Sequence, residues 1–469
     1  MKKRSHNEFL NNEGRIRDVL KIAFPLVLAA SAHAINLLSD RIMLSRYSEE
    51  AIAGSMAAGL TAFALSCFFL GIIGYTGTFV AQYFGAGAKD RVGTAVWQGI
   101  FLSLIGGGIL ATGWFWGEEL FSLFGHDSRV LKEEAAYFKL LSIGNIFLLL
   151  NTAFASFWGG RGKTGMVMFV NILITVLNIP FNYAMIYGNW GMPELGITGA
   201  AWGTNLSSAA GCLVYAFFFF VPRSSRRHFK TCSRIFDWEL FCRLIRYGLP
   251  NGIQFSLDLI SFNIFIIVLG RYGKEVQAAT SIAFGLNSIG FTPMIGIGQT
   301  VGILVGQCIG AKDIPHAKKS VSSARSVVLM YMACIALIFV VYPELVLWMF
   351  SIQNPEILRI TRNMLRFCAC FMLFDGLFIV YSNAIKAAGD TFFAMIVGTA
   401  LALVMQALPS IVLGYYKVNV WVLWGCVVFY VITAGSIFYL RYRSGKWTTM
   451  KVIEDEVMNP NGKNPDQNQ

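Results

Sequence analysis

Twelve apolar runs, each long enough to cross a bilayer, leave this chain few folds to adopt. They cover 20–44, 55–82, 94–116, 137–157, 166–187, 198–221, 247–270, 282–307, 323–342, 367–385, 392–415 and 420–440. A segment inside hydrocarbon must satisfy its own backbone hydrogen bonds, so each run is predicted to be a helix and the chain an all-α integral membrane protein. With 55% hydrophobic and 14% charged residues, the chain is also too apolar for a soluble protein of 469 residues. The first run has no small-residue cleavage site before Asp40-Arg41 and is read as a retained span, not a signal peptide.

The runs fall into two copies of one pattern. Pro25 and Pro250 stand 225 positions apart, and the same offset relates Arg46-Tyr47 to Arg271-Tyr272, Glu50 to Glu275, Gln82 to Gln307 and Gly85-Ala86 to Gly310-Ala311. At 227 the stretch Gly162-Lys163-Thr164 meets Gly389-Asp390-Thr391. Six spans precede the basic linker and six follow it, so both halves share one orientation and a pseudo-two-fold axis along the membrane normal is expected. The expected organisation is an N-terminal segment (1–19), a six-helix lobe (20–222), a linker (223–246), a second six-helix lobe (247–445) and a tail (446–469). Within the tail, Asn459–Gln469 has little apolar surface to bury and is expected to be disordered. Pro180, Pro293 and Pro409 sit inside spans and predict kinks, useful for gating or merely tolerated by packing.

The net charge of +12 raises nucleic acid as a partner, but the basic residues follow the topology instead. Placing both termini on one side gathers about 27 of the 38 Lys and Arg residues there, including the cluster Arg223, Arg226, Arg227, Lys230 and Arg234. That side is taken as the cytoplasm. The acidic loop of Glu118, Glu119, Asp127, Glu133 and Glu134 then falls outside. The nine Cys are scattered and predict neither a disulfide framework nor a zinc site.

Polar groups inside the spans are the candidate functional residues, because an uncompensated charge at mid-bilayer costs several kcal/mol. Asn251, Gln254, Asp258 and Ser261 follow three-four-three spacing along one face of the seventh span. His33, Asn36 and Asp40 make a similar stripe on the first, and the 225 offset sets His33 opposite Asp258 and Asn36 opposite Ser261. Asn171, Asn178 and Asn182 share a face of the fifth span, and Asp375 lies in the tenth. Amides, a hydroxyl and a carboxylate suit a dehydrated monovalent cation; the same amides also serve as hydrogen-bonding glue between helices. No phosphate loop, H-E-x-x-H or nucleophile-base set can be assembled, which excludes an enzyme and an ATP-driven pump on this chain and leaves an ion gradient as the driving force.

The stretches N-L-L-S-D-R-I-M-L-S-R-Y-S-E-E-A-I-A-G, R-G-K-T-G-M-V-M-F-V-N-I-L-I-T-V-L-N-I-P-F-N-Y, G-M-P-E-L-G-I-T-G-A-A-W-G-T and A-I-K-A-A-G-D-T resemble the multidrug and toxic compound extrusion (MATE) transporters over residues 15 to 445. The resemblance implies twelve helices in two six-helix lobes and a secondary antiporter that exports organic cations or other amphipathic compounds against H+ or Na+. It implies no cofactor, no ATP, a plasma (inner) membrane location with cytoplasmic termini and a monomer. On the matching positions, Asp40 with Asn178, Asn182 and Thr204 stands for the N-lobe cation site, and Asp258 with Asp375 for the C-lobe site. Na+ at these positions is the one metal it allows. Two positions depart from the family pattern: Asn182 replaces an Asp of well-studied N-lobe cation sites, and Asp258 replaces a Glu common in many members. A lipid-linked saccharide flippase of the same superfamily is the alternative; it needs several Arg facing the cavity, and Arg41 is the one evident candidate. A channel fits less well, since no selectivity-loop motif accompanies the two-lobe repeat.

Overall fold

The computed structural model describes residues 14–122, 128–348, 354–454 and 457. Among these, the regular elements are helical, and twelve helices are long and apolar enough to cross a membrane. In chain order they are α1 (Ile16–Tyr47), α2 (Glu49–Gly85), α3 (Lys89–Ala111), α4 (Arg129–Gly159), α5 (Thr164–Tyr187) and α6 (Ile197–Phe220). Then come α7 (Trp238–Gly270), α8 (Lys274–Gly310), α9 (Ile314–Val341), α10 (Pro355–Ala388), α11 (Thr391–Tyr415) and α12 (Val420–Arg443). The chain is a multi-pass membrane protein.

Most helices outrun the apolar stretches that predict them. The run at 282–307 becomes a helix of 37 residues, about 56 Å against a hydrocarbon thickness of about 30 Å. Hydropathy marks only the lipid-embedded part, while the helix continues through the headgroup region on polar residues. The third run ends early instead. Its helix ends at Ala111 and a separate helix, Gly113–Ser122, begins at Gly113, where a Cβ would sit 2.6 Å from Ser142 Oγ. Of the prolines expected to kink their spans, Pro180 and Pro293 lie inside the continuous helices α5 and α8, and α11 widens into a π turn at Ala402–Ala407 just before Pro409.

Two compact units account for the chain, and their borders lie inside helices. One unit is Ile253–Lys451 together with the start of the chain through Val27; the other is Leu28–Gly252 together with the segment from Val452. Each of α1 and α7 is therefore divided two residues after an internal proline, Pro25 and Pro250. The packing shows why. In the second unit α7 crosses α2 backbone to backbone: a Cβ on Gly71 would lie 2.5 Å from Gly252 Cα, and the Asn251 amide donates to the Gly71 carbonyl at 2.7 Å. In the first unit a Cβ on Gly296 would lie 2.7 Å from the Val27 nitrogen, so α1 crosses α8 in the same way. Gly71 and Gly296, like Val27 and Gly252, are 225 positions apart. The sequence repeat is thus a repeat of helix crossings.

The segment after α12 also has a built place. Trp447 is buried against Tyr442, with ring centroids 5.1 Å apart. Val452 and Ile453 are buried in the core of the second unit with Tyr83, Leu240 and Leu244. The Val452 N–H donates to Gln82 Oε1 at 3.0 Å, and Arg243 donates to the Val452 carbonyl and pairs with Glu454 at 2.7 Å. The Tyr83 hydroxyl donates to the same carboxylate at 2.7 Å. The expectation of disorder over Asn459–Gln469 lies outside the described residues.

Candidate functional site

In the second unit, α1, α5 and α6 bring four predicted residues into one hydrogen-bonded chain. Asn182 Nδ2 donates to Asp40 Oδ1 at 2.5 Å and to Asn178 Oδ1 at 3.0 Å, and Asn178 Nδ2 donates to Thr204 Oγ1 at 3.3 Å. The Thr204 hydroxyl also reaches Asp40. Asp40 is 7% exposed and both Asn are fully buried. Local sequence sets this up: the four-residue step from Asn178 to Asn182 is one helical turn, and Thr175 Oγ1 pins α5 to α1 through the Ala32 carbonyl at 3.0 Å. Gly203 makes the room, since a Cβ there would meet Asn182 Oδ1 at 2.0 Å. That oxygen has no hydrogen-bond partner.

Two adjoining cavities of about 250 and about 220 Å³ open beside this chain. Both are lined by His33, Asn36, Gly59, Phe63, Leu141 and Thr204. The outer one adds Asp40 and Arg41, the inner one Asn145, Asn151, Asn171 and Asn205. The predicted stripe His33, Asn36, Asp40 therefore does face a cavity, and Asn171, which donates to its own helix at Val167, lines the inner one.

The predicted stripe on α7 divides. Asn251 belongs to the crossing with Gly71, which is the helix-glue role, whereas Gln254, Asp258 and Ser261 belong to the first unit. Gln254 is 3% exposed, packs over Gly398 of α11 and hydrogen-bonds Asp258. Asp258 Oδ1, Gln254 Oε1, Ser261 Oγ and Thr399 Oγ1 are buried without partners. Two groups that sequence reading missed lie in electrostatic reach: Lys386 of α10 acts on Asp258, and Tyr430 of α12 on both Asp258 and Asp375. Lys386 lies inside the G-D-T-bearing stretch that carries the family resemblance, so its position was visible though its partner was not.

The family model described as MatE matches residues 25–184 and 250–412. The chain belongs to the MatE family. Its two matched blocks begin at Pro25 and Pro250, the prolines of the repeat. Relatives of this MatE chain include "Probable multidrug resistance protein NorM" of Thermotoga maritima, 25% identical over 452 residues that cover 94% of this chain and 95% of the relative. "Multidrug resistance protein PmpM" of Pseudomonas aeruginosa is 26% identical over 394 residues, covering 82% and 81%. An outward-facing multidrug resistance MATE family transporter of the MOP superfamily superposes with a TM-score of 0.83 at 20% identity, covering 92% of this chain and 96% of that one. A MOP superfamily transporter from Pyrococcus furiosus, described as having a binding pocket of reverse polarity that suggests a different function, superposes with a TM-score of 0.82 at 20% identity, covering 94% of this chain and 98% of that one. The MatE fold and membership make the chain a membrane transporter and not an enzyme. Among the described residues no group of three or more His, Cys, Asp or Glu is placed to hold a metal ion.

Proposed function

We propose that this MatE protein is a secondary active antiporter that exports organic cations or other amphipathic drugs in exchange for H+ or Na+. The observation that carries the reading is the chain Asp40–Asn182–Asn178–Thr204, closed in the interior of the second unit and bordering the two cavities. A carboxylate so placed is expensive as a bare anion, so it holds a proton, a cation or a donor at all times. In this arrangement the Asn182 amide nitrogen occupies Asp40 Oδ1. A proton can join the carboxylate with that bond kept, whereas Na+ needs Asn182 to turn its oxygen away from Gly203, against which it now lies, and toward the carboxylate. That supports H+ as the ion at Asp40. Exchange follows if the ion and the drug favour different arrangements of the transporter, which is the free-energy condition for coupling two fluxes.

The names of the relatives support drugs as cargo, and the cavity lining supports them over a lipid-linked saccharide: Arg41 is the one arginine among the residues lining the two cavities, too few to clamp a pyrophosphate. We assign Asp258 and Asp375 to a second ion site, the termini to the cytoplasmic face of the plasma (inner) membrane, and the working unit to a monomer without ATP. The test is efflux of a fluorescent organic cation from proteoliposomes under an imposed pH gradient and, separately, a Na+ gradient. Wild type should respond to the pH gradient, and Asp40→Asn and Asp258→Asn should lower the coupled rate at least about tenfold while eluting as folded protein. Efflux that ignores both gradients, or two mutants that pump like wild type, would overturn the assignment.

A further inference from the structure

The linker between α6 and α7 is strongly basic, and its backbone is fastened to the second unit. From Arg223 to Phe236 it carries five Lys and Arg and no Asp or Glu. A short helix, Arg223–Phe229, opens it. The chain that follows is tied to α3: Trp97 Nε1 donates to the Thr231 carbonyl at 2.8 Å, Gln98 Nε2 to the Ile235 carbonyl at 3.0 Å, and Arg91 pairs with Asp237 at 2.8 Å. Just after α4, the Arg161 guanidinium lies over the Phe157 and Phe229 rings, 3.6 and 4.6 Å from their centroids. The main chain is thus held in place while most of its charges are left over. Lys230 meets Asp90 at 3.5 Å and Arg226 donates to the Val221 carbonyl at 2.9 Å. Arg223, Arg227 and Arg234 are exposed and make no ion pair or hydrogen bond among the described residues.

Apolar surface adjoins these charges. Leu104, Ile105 and Ile109 are exposed along α3, and Leu213, Phe217 and Val221 along α6; on membrane-spanning helices such faces meet hydrocarbon. The two helices touch through Trp97 and Phe220, with ring centroids 5.7 Å apart, and Phe236 of the linker packs on Phe101 of α3 at 5.3 Å. Ile235, Phe236 and Trp238 are themselves 56%, 46% and 68% exposed. Large apolar side chains beside unpaired arginines, at the ends of two lipid-facing helices, suit the headgroup layer, where aromatic rings lie at the acyl boundary and cations meet phosphate. We infer that this linker surface binds acidic phospholipids of the surrounding bilayer, with Arg223, Arg227 and Arg234 taking the headgroup phosphate and Ile235, Phe236 and Trp238 lying against the acyl chains. A guanidinium offers phosphate two parallel N–H donors. A zwitterionic lipid presents the same phosphate but brings its own ammonium, so its net attraction to three arginines is smaller. Because the linker backbone is already fixed, little of it has to be ordered on binding. A soluble polyanion would satisfy the arginines and leave the three apolar side chains in water. The inference is independent of the cargo and of the driving ion.

The test is native mass spectrometry of the full-length protein released from a neutral detergent, with dioleoyl phosphatidylglycerol and dioleoyl phosphatidylcholine offered at equal concentration. The wild type should retain the acidic lipid at least about tenfold better. A variant combining Arg223→Gln, Arg227→Gln and Arg234→Gln should bring that ratio close to one. A control combining Arg271→Gln, Lys274→Gln and Lys417→Gln, which removes the same charge from exposed positions after α7 and α11, should keep the wild-type ratio. Equal retention of the two lipids by the wild type overturns the inference, as does undiminished selection by the linker variant when it elutes as folded protein. Loss of selection in both variants alike assigns the effect to net charge and overturns it too. Inorganic phosphate in large molar excess and a short oligonucleotide should each leave the acidic lipid in place. If phosphate strips it, the arginines form a site for free anions; if the oligonucleotide does, the surface belongs to a soluble polyanion; either result sinks the lipid assignment.

Discussion

At Asp40 the proposed choice of H+ over Na+ turns on a single atom. The Asn182 nitrogen, 2.5 Å from the carboxylate, stands where a family pattern with Asp would present a second negative oxygen. Asn182→Asp should therefore convert the set into two carboxylates with Asn178 and Thr204, and make organic-cation efflux respond to an inward Na+ gradient that, on the proposed H+ reading, should leave the wild type unmoved. Sodium-driven efflux, measured at equal pH on both sides, checks this. The members of this set were legible one helix at a time, because the four-residue step from Asn178 to Asn182 writes a helix face directly into the sequence. Their convergence was not. Thr204 entered only through resemblance, and the partnership of Asp258 with Lys386 and Tyr430 depends on α7, α10 and α12 meeting, which no local period records. Asn251 shows the opposite error: it shares the stripe of Asp258 by spacing, yet helix crossing claims it.

At the scale of helices, the crossings of α2 with α7 and of α8 with α1 depend on having no side chain at Gly71 and Gly296. Adding a Cβ at 2.5 or 2.7 Å from a neighbouring backbone forces the helices apart, a cost of about 1–3 kcal/mol for an overpacked contact that cannot yield by a rotamer change. Gly71→Ala and Gly296→Ala should each lower the apparent melting temperature of the purified protein by several degrees, and Gly302→Ala should leave it unchanged. The presence of all twelve helices was legible from hydropathy, as was the repeat that relates their crossings. Their ends were not, because polar residues carry α8 and α10 beyond the hydrocarbon, where apolarity no longer reports on helicity. The π turn of α11 was legible only as a proline, whose missing N–H predicts a disturbance but not its form.

At the scale of the molecule, the chain after α12 is part of the second unit's architecture. Arg243 holds both the Val452 carbonyl and the Glu454 carboxylate, while Tyr83 and Gln82 hold the same short segment. Arg243→Ala and Glu454→Ala should each destabilise the protein, and the double variant should fall short of their sum by about 1 kcal/mol, since the pair is mostly buried. Thermal unfolding of the four proteins in one detergent measures that coupling. The sequence presents this segment as a charged tail, and only the burial of Val452 and Ile453 reveals it as core. The exchange at Val27 and Gly252 has a broader meaning. The two copies in the sequence are not the two bodies in space, for each body takes the opening turns of one membrane helix from the other copy. Either copy made alone would therefore lack the opening turns of one helix that its bundle is built around.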